Sequence, residues 1–371
     1  MQALTITNGH ALINRALVQV DIFVSEGEIT EAAQPGAKVF DASGLLVLPG
    51  IVDIHGDAFE RQIQPRPGIN FPIDLALADT ERQLLANGIT TAFHGVTLSW
   101  EPGLRGVETW SALLVALERY RATCDMRVHL RFEAFNLDAL DTALADIAAG
   151  RVHLLAFNDH TPSIMKRLDD DAKASKYSER GSMSLPEFRA LAHRIAARAG
   201  DVPAARDQLA AAARAAGLPM ASHDDYTIGE REQFRALGAM VCEFPTSEDV
   251  AHAARAAGEA VVMGAPNVVR GGSHIGWASA AKMAEAGVCS VLASDYYYPA
   301  MMHAAFILAG RGVLSLPQAW ALISENPARA GKLTDRGVIA PGKRGDLVIV
   351  DATGRLRATI VAGRIAWAAP G

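Results

Sequence analysis

Two spacings of apolar residues alternate along most of this chain. Asp74 to Asn87 carries a helical period that Gly88 stops, and Ile89 to Val96 reads as a strand. Thr109–Thr123 then reads as helix, Arg127–Phe132 as strand, Leu137–Ala149 as helix and Val152–Phe157 as strand. Residues 163–218 interrupt the rhythm. A charged stretch from Lys166 to Arg180 reads as an excursion loop or lid over 163–181, and Ala-rich helices follow. The rhythm resumes with strands at Leu218–Ala221, Ala239–Cys242, Ala260–Met263 and Val288–Ala293. With the apolar run that opens at Ile51, eight strands alternate with helices. That repetition predicts an α/β fold, a closed (β/α)8 barrel of the TIM type.

Both ends of the chain read differently. Leu17 to Val24 alternates apolar and polar, Ser25 to Glu28 is a turn, and Val39–Phe40 and Leu45–Leu48 are short β segments. Leu347–Val350, Thr359–Val361 and Arg364–Trp367 have the same character. The pattern predicts a barrel over 51–334 and a small β domain built from 1–50 and 335–371.

The length of 371 residues suits one barrel with such an addition, and 50% hydrophobic residues allow a large core. A net charge of -6 argues against nucleic-acid binding. Cys124, Cys242 and Cys289 are isolated, so no disulfide framework or thiolate metal site is expected. The first residues lack the basic start of a signal peptide, and no apolar run reaches the roughly 20 residues of a membrane span. A cytoplasmic protein is expected, with no membrane or nucleic-acid partner and with a homo-oligomer possible.

The chemistry gathers at strand ends. Ile51-Val52-Asp53-Ile54 leads into His55-Gly56-Asp57, and residues two apart on a strand share a face. Glu133, His160, His223 and Asp295 stand at or just beyond other strand ends. In a barrel these ends form one face, where active sites sit. Taken singly, each is as readily a cap or a hydrogen-bonded core residue. Taken together, three His and three carboxylates suit divalent ions of the Zn, Mn or Fe type rather than Mg. Two ions are expected, zinc first, with Asp295 also placed to take and deliver a proton. Asp224 and Asp225 would orient His223, or cap the following helix.

Val268-Val269-Arg270-Gly271-Gly272-Ser273-His274 follows the seventh strand. Its glycines suggest a nest of backbone N–H groups for an anion, with Arg270 gripping a phosphate. The bland alternative is a glycine turn with a surface Arg. Arg66, Lys166 and Arg167 are weaker candidates on the same rim. Gly337–Lys343 has the outline of a phosphate loop, but Arg344 stands where Ser or Thr would hold Mg²⁺, and the segment precedes a strand. It reads as a turn.

These residues resemble the amidohydrolase superfamily in the barrel, the split β domain, His-x-Asp after the first strand, two later His and a final Asp. Gly345-Asp346-Leu347-Val348 resembles its tail motif. Pro65-Arg66-Pro67, Asp159-His160, Ala221 to Asp225, Met263 to His274 and Ser294 to Tyr297 resemble, more narrowly, the diphosphatases of bacterial phosphonate catabolism. The resemblance implies release of pyrophosphate from α-D-ribose 1-methylphosphonate 5-triphosphate, a phosphorylated sugar. It implies metal ligands at His55, Asp57, Glu133, His160, His223 and Asp295. Gly56, Ala58 and Phe59–Gln64 depart from that pattern, which bears on the substrate more than on the metals. Two other readings stand beside it. One is a hydrolase of an amide or cyclic amide. The other, from a different class, is a barrel that has lost chemistry and serves in assembly.

Overall fold

The computed structural model describes residues 3–66, 68–181, 183–272 and 278–369. Eight parallel strands lie side by side in chain order: β1 (Ile51–Gly56), β2 (Ile89–Leu98), β3 (Asp125–Glu133), β4 (Leu154–Asn158), β5 (Met220–His223), β6 (Val241–Glu243), β7 (Ala260–Gly264) and β8 (Val291–Ala293). A parallel bridge from Gly56 to Asp295 brings the two edges together, so the barrel is nearly closed. Backbone bonds reinforce that seam, Asp295 N–H to the His55 carbonyl and Asp57 N–H to the Asp295 carbonyl, both at 2.9 Å. The Asp53 carboxylate accepts the backbone N–H of Ser294 at 3.0 Å and its hydroxyl at 2.5 Å. The seam therefore runs through the residues that carry the candidate chemistry.

Why these segments become strands follows from burial. β2 is buried along all ten residues, which removes any need for polar alternation. Val52, Ile54, Phe93, Leu154, Ala156, Ala221, Val241, Val262, Val291 and Ala293 form one apolar cluster from seven of the strands. β3 contributes instead the buried polar series His129, Arg131 and Glu133. The helices cover the outside. Ile73–Leu85, for instance, buries Ala76, Leu77, Leu84 and Leu85.

The terminal segments form two further sheets. Leu4–Thr7, Ile22–Ser25, Glu28–Thr30 and Lys38–Asp41 make a four-stranded sheet. His10–Ile13, Ala16–Gln19, Leu46–Pro49, Leu347–Val350, Leu356–Val361 and Arg364–Ala368 make a six-stranded one. Leu347 and Ile349 pack with Leu4, Ile6 and Val47 in the core between these sheets, so both chain ends build one β layer.

Two sequence expectations are corrected. Leu17–Val24 is not one strand. Ala16–Gln19 is exposed and Ile22–Ser25 lies in the other sheet, because alternation alone does not show where the chain changes sheets. Lys166–Arg180 is not a loop. Asp171–Arg180 is a helix capped by Asp170, and Tyr177 stacks on Phe188 of the next helix, Leu185–Ala196. Phe188 in turn stacks on Trp100, so the excursion is a packed helical layer beside the barrel mouth. Among the described residues, no helix is long and apolar enough to cross a membrane.

Candidate active site

Strand ends deliver the polar groups to the mouth. A register shift against β2 between Asp53 and Gly56 interrupts β1, and His55 and Asp57 line the same cavity beyond it. Asp224, Phe244 and Asp295, just past β5, β6 and β8, have φ of +59°, +51° and +55°. Left-handed backbone costs a non-glycine residue on the order of 1–2 kcal/mol, and such strain gathers at functional sites. Here it turns each chain out of its strand at the cavity wall.

The cavity is about 210 Å³, and His55, Asp57, Arg131, His223, Asp224, Phe244, Arg270, Gly272, Asp295 and Tyr296 are among its lining residues. Glu243 lies beneath it, fully buried, at the meeting point of three imidazoles. Its Oε2 is 3.0 Å from His55 Nδ1, 3.5 Å from His223 Nδ1 and 3.7 Å from His129 Nε2. The His55 and His223 rings stack, with centroids 5.2 Å apart, and Phe244 meets both edge-on. Arg131 donates through Nη2 to His223 Nε2 at 2.9 Å and approaches Asp57 Oδ2 at 3.5 Å. On the far side His160 is paired with Glu133, and its Nε2 is 3.6 Å from Asp224.

Burial sets the electrostatics. It pushes Glu243 and Asp295 up to about 7, and Asp57 nearby also raises Asp295. Burial lowers His55 to about 3, with the Arg131 charge adding to it, and puts His223 well below its usual range by the same two effects. His160 behaves oppositely. Burial disfavours its charge, but Glu133 and Asp224 outweigh that and hold it up to about 9.

The metal-binding capacity can be read from donors without partners. Among the described residues, His223 Nδ1, His129 Nε2 and Glu243 Oε1 are buried with no hydrogen-bond partner, a costly state unless something else meets them. Among the described residues, two groupings bring three donor atoms within 4.8 Å of one another: His55, His223 and Glu243, and His160, His223 and Asp224. Mixed imidazole and carboxylate donors fit a divalent transition metal.

Of the six ligands expected from sequence, His55, His160 and His223 enter these groupings. Asp57 and Asp295 line the cavity outside them, and Glu133 is engaged with His160. Glu243, Arg131 and His129 were not singled out by sequence reasoning. Their signal was available, since His129, Arg131 and Glu133 stand two apart on one strand and Glu243 ends another.

The anion nest is corrected. Ala265–Arg270 is a short helix, and Gly271, at φ +83°, is its left-handed cap. The Gly271 and Gly272 N–H groups bond the Val268 and Asn267 carbonyls at 3.2 and 2.9 Å, so they are spent on closing the helix. Arg270 itself remains on the cavity wall, with Nη1 3.4 Å from the Tyr296 hydroxyl. Ser273 and His274 lie outside the described residues. Arg66 and Lys166 are exposed and are not among the cavity-lining residues.

A nearly closed parallel barrel with polar residues converging at its strand ends, flanked by a β layer from both termini, defines a class. The chain belongs to the Amidohydrolase family, which residues 46–366 match, and it is a hydrolase of that superfamily. It is 32% identical over 357 residues to α-D-ribose 1-methylphosphonate 5-triphosphate diphosphatase of Escherichia coli (strain K12), covering 93% of this chain and 94% of that protein. In fold it is similar to molinate hydrolase, with a TM-score of 0.65 and 15% identity over 98% of this chain and 94% of that one. It is also similar to N-acetylglucosamine-6-phosphate deacetylase from Pasteurella multocida, with a TM-score of 0.62 and 11% identity over 98% and 99% of the two chains.

Proposed function

We propose that this protein hydrolyses a phosphoanhydride of a sugar triphosphate, α-D-ribose 1-methylphosphonate 5-triphosphate, to the 5-phosphate and pyrophosphate. The observation that carries the proposal is the placing of Arg270 on the wall of the same cavity as His55, His223 and Asp295. A site for an uncharged amide has no need of that guanidinium. The 32% identical relative carries this activity in its name.

The ion's donors are His223 with His55 and Glu243, or His223 with His160 and Asp224. A neutral imidazole has one lone pair, so His223 serves one ion at a time. Two ions require Asp57 or Asp295 to replace it in one of them. When bound, a divalent ion supplies the charge that polarises a phosphoryl oxygen and acidifies water.

The chain's own residues do the rest. Arg270 holds phosphate oxygens bidentately at the rim. Asp295, poised near 7, takes the proton of the attacking water and later returns it. Edge-on contacts from half-buried Phe244 and the Glu243 carboxylate fix the two imidazoles, and the loss of water from the cavity strengthens every charge interaction in it.

The test is a screen of metal-loaded protein against sugar triphosphates, amides and cyclic amides. Pyrophosphate and phosphate are assayed separately. Pyrophosphate with a sugar monophosphate is the expected result. Release of single phosphates, or turnover of amides alone, would overturn the proposal.

A further inference from the structure

We propose that Arg131 is a second phosphate-binding residue, at the floor of the cavity where Arg270 marks the rim; this rests on the phosphoanhydride reading above. Asp57, Asp224 and Asp295 line the cavity, and Glu133 and Glu243 lie behind them. A polyphosphate entering such a wall is repelled unless cations face it. Arg131 and Arg270 are the guanidinium groups among the lining residues. Arg270 is exposed, whereas Arg131 is 5% exposed and reaches the cavity from inside β3.

The hydrogen bonds of Arg131 leave it available. Its Nε is buried with no partner among the described residues, and its contact to Asp57 at 3.5 Å is long. Its one short contact is to His223 Nε2. That nitrogen accepts with the only lone pair of the neutral ring, so His223 either accepts Arg131 or holds an ion through Nε2. If it holds an ion through Nδ1 instead, Nε2 carries a proton and cannot accept. In both cases metal loading frees the Arg131 Nη2 group. Asp57 keeps the guanidinium beside the cavity, with donors to offer an anion in a poorly hydrated place where charge-assisted bonds are strong. A guanidinium suits this role better than an ammonium, because its planar fork meets two phosphate oxygens at once.

The experiment uses inorganic tripolyphosphate as the probe. Its affinity for the metal-loaded full chain is measured by calorimetry, with metal content of the same samples determined by mass spectrometry. Arg131→Met should bind tripolyphosphate roughly ten- to a hundredfold more weakly, the worth of one charge-assisted contact, while keeping at least the wild-type metal content. Arg131→Lys retains the charge beside Asp57 and guards against a misfolded Met variant. It should be weakened several-fold. Wild-type affinity in either variant would overturn the assignment. So would a parallel loss of metal, which would make Arg131 a support of the ligand shell. Failure of the wild-type protein to bind tripolyphosphate would instead sink the phosphoanhydride reading, and this inference with it.

Discussion

His223 has one lone pair and several claimants: Arg131, and an ion shared with either His55 and Glu243 or His160 and Asp224. That makes it the residue on which metal content depends. His223→Ala should therefore lose metal and turnover together, and full metal occupancy in the variant, read by mass spectrometry, would remove His223 from the ligand set. Asp295 is different, since it lines the cavity but joins neither grouping. Asn tolerates the left-handed backbone of position 295, so Asp295→Asn keeps shape and fold while losing the base. Metal should be retained and kcat should fall by about 10²–10⁴, the usual worth of general acid–base catalysis. In isotopically labelled water the label should appear in the sugar monophosphate; label in pyrophosphate would place the attack at the middle phosphorus. Arg270→Ala should lower kcat/KM for the triphosphate by roughly ten- to a hundredfold with metal unchanged. An unaltered kcat/KM would put the phosphates elsewhere.

At the scale of elements, the decisive feature is the seam between β1 and β8. It joins residues some 240 positions apart through Asp53 and Ser294, and the same stretch presents His55, Asp57 and Asp295. Gly56 is at the seam because nothing larger fits. A Cβ there would lie 2.6 Å from Asp53 Oδ2 and 2.7 Å from Ser294 Oγ. Ser294→Ala removes one of the three hydrogen bonds that the buried Asp53 carboxylate accepts, which costs on the order of 1–3 kcal/mol. The melting temperature should fall by a few degrees, on the scale set by unfolding entropy. An unchanged melting temperature would mean that the backbone bonds alone hold the seam. The helical layer between β4 and β5 is a second such feature. Its apolar cluster ties Phe188 and Leu168 to Trp100 and Phe135, close to where Glu133 and His160 emerge.

For the whole molecule, protons and metal compete for the same groups. His160 is held up to about 9, and Glu243 and Asp295 up to about 7. Ligands must shed their protons to bind an ion, so metal affinity should rise between pH 6 and 9, by up to about tenfold per unit for each proton displaced. The metal-free protein should move the other way. A His whose folded pKa is raised contributes stability that is fully present below its unfolded value, about 6.5, and is lost as pH rises through 9. His55 and His223, both depressed, are neutral in the folded chain across that window, and their protonation in the unfolded chain near pH 6.5 is common to loaded and metal-free protein, so it cancels in the comparison. The gap in melting temperature between loaded and metal-free protein should therefore widen with pH. A gap that stays constant from pH 6.5 to 9 would exclude His160 and Glu243 as ligands.

Much of this molecule was legible from the chain alone, and for a definite reason. Strand and helix periodicity is local, so eight strand-like segments alternating with helical ones imply the barrel, and a barrel places its strand ends on one face. His55, His160, His223 and Asp295 could be picked out because they stand at those ends. What tertiary structure decided is everything that depends on which side chains meet. Only the nearly closed barrel brings Glu243 under His55 and His223, or Arg131 from β3 onto His223 from β5. The spending of the Gly271 and Gly272 amides on a helix cap could not be read from two glycines, which suit a cap and a nest equally. Local sequence determines the elements because their hydrogen bonds and burial repeat at short range. The site is decided in three dimensions because its charges, lone pairs and desolvation belong to pairs of residues far apart in the chain.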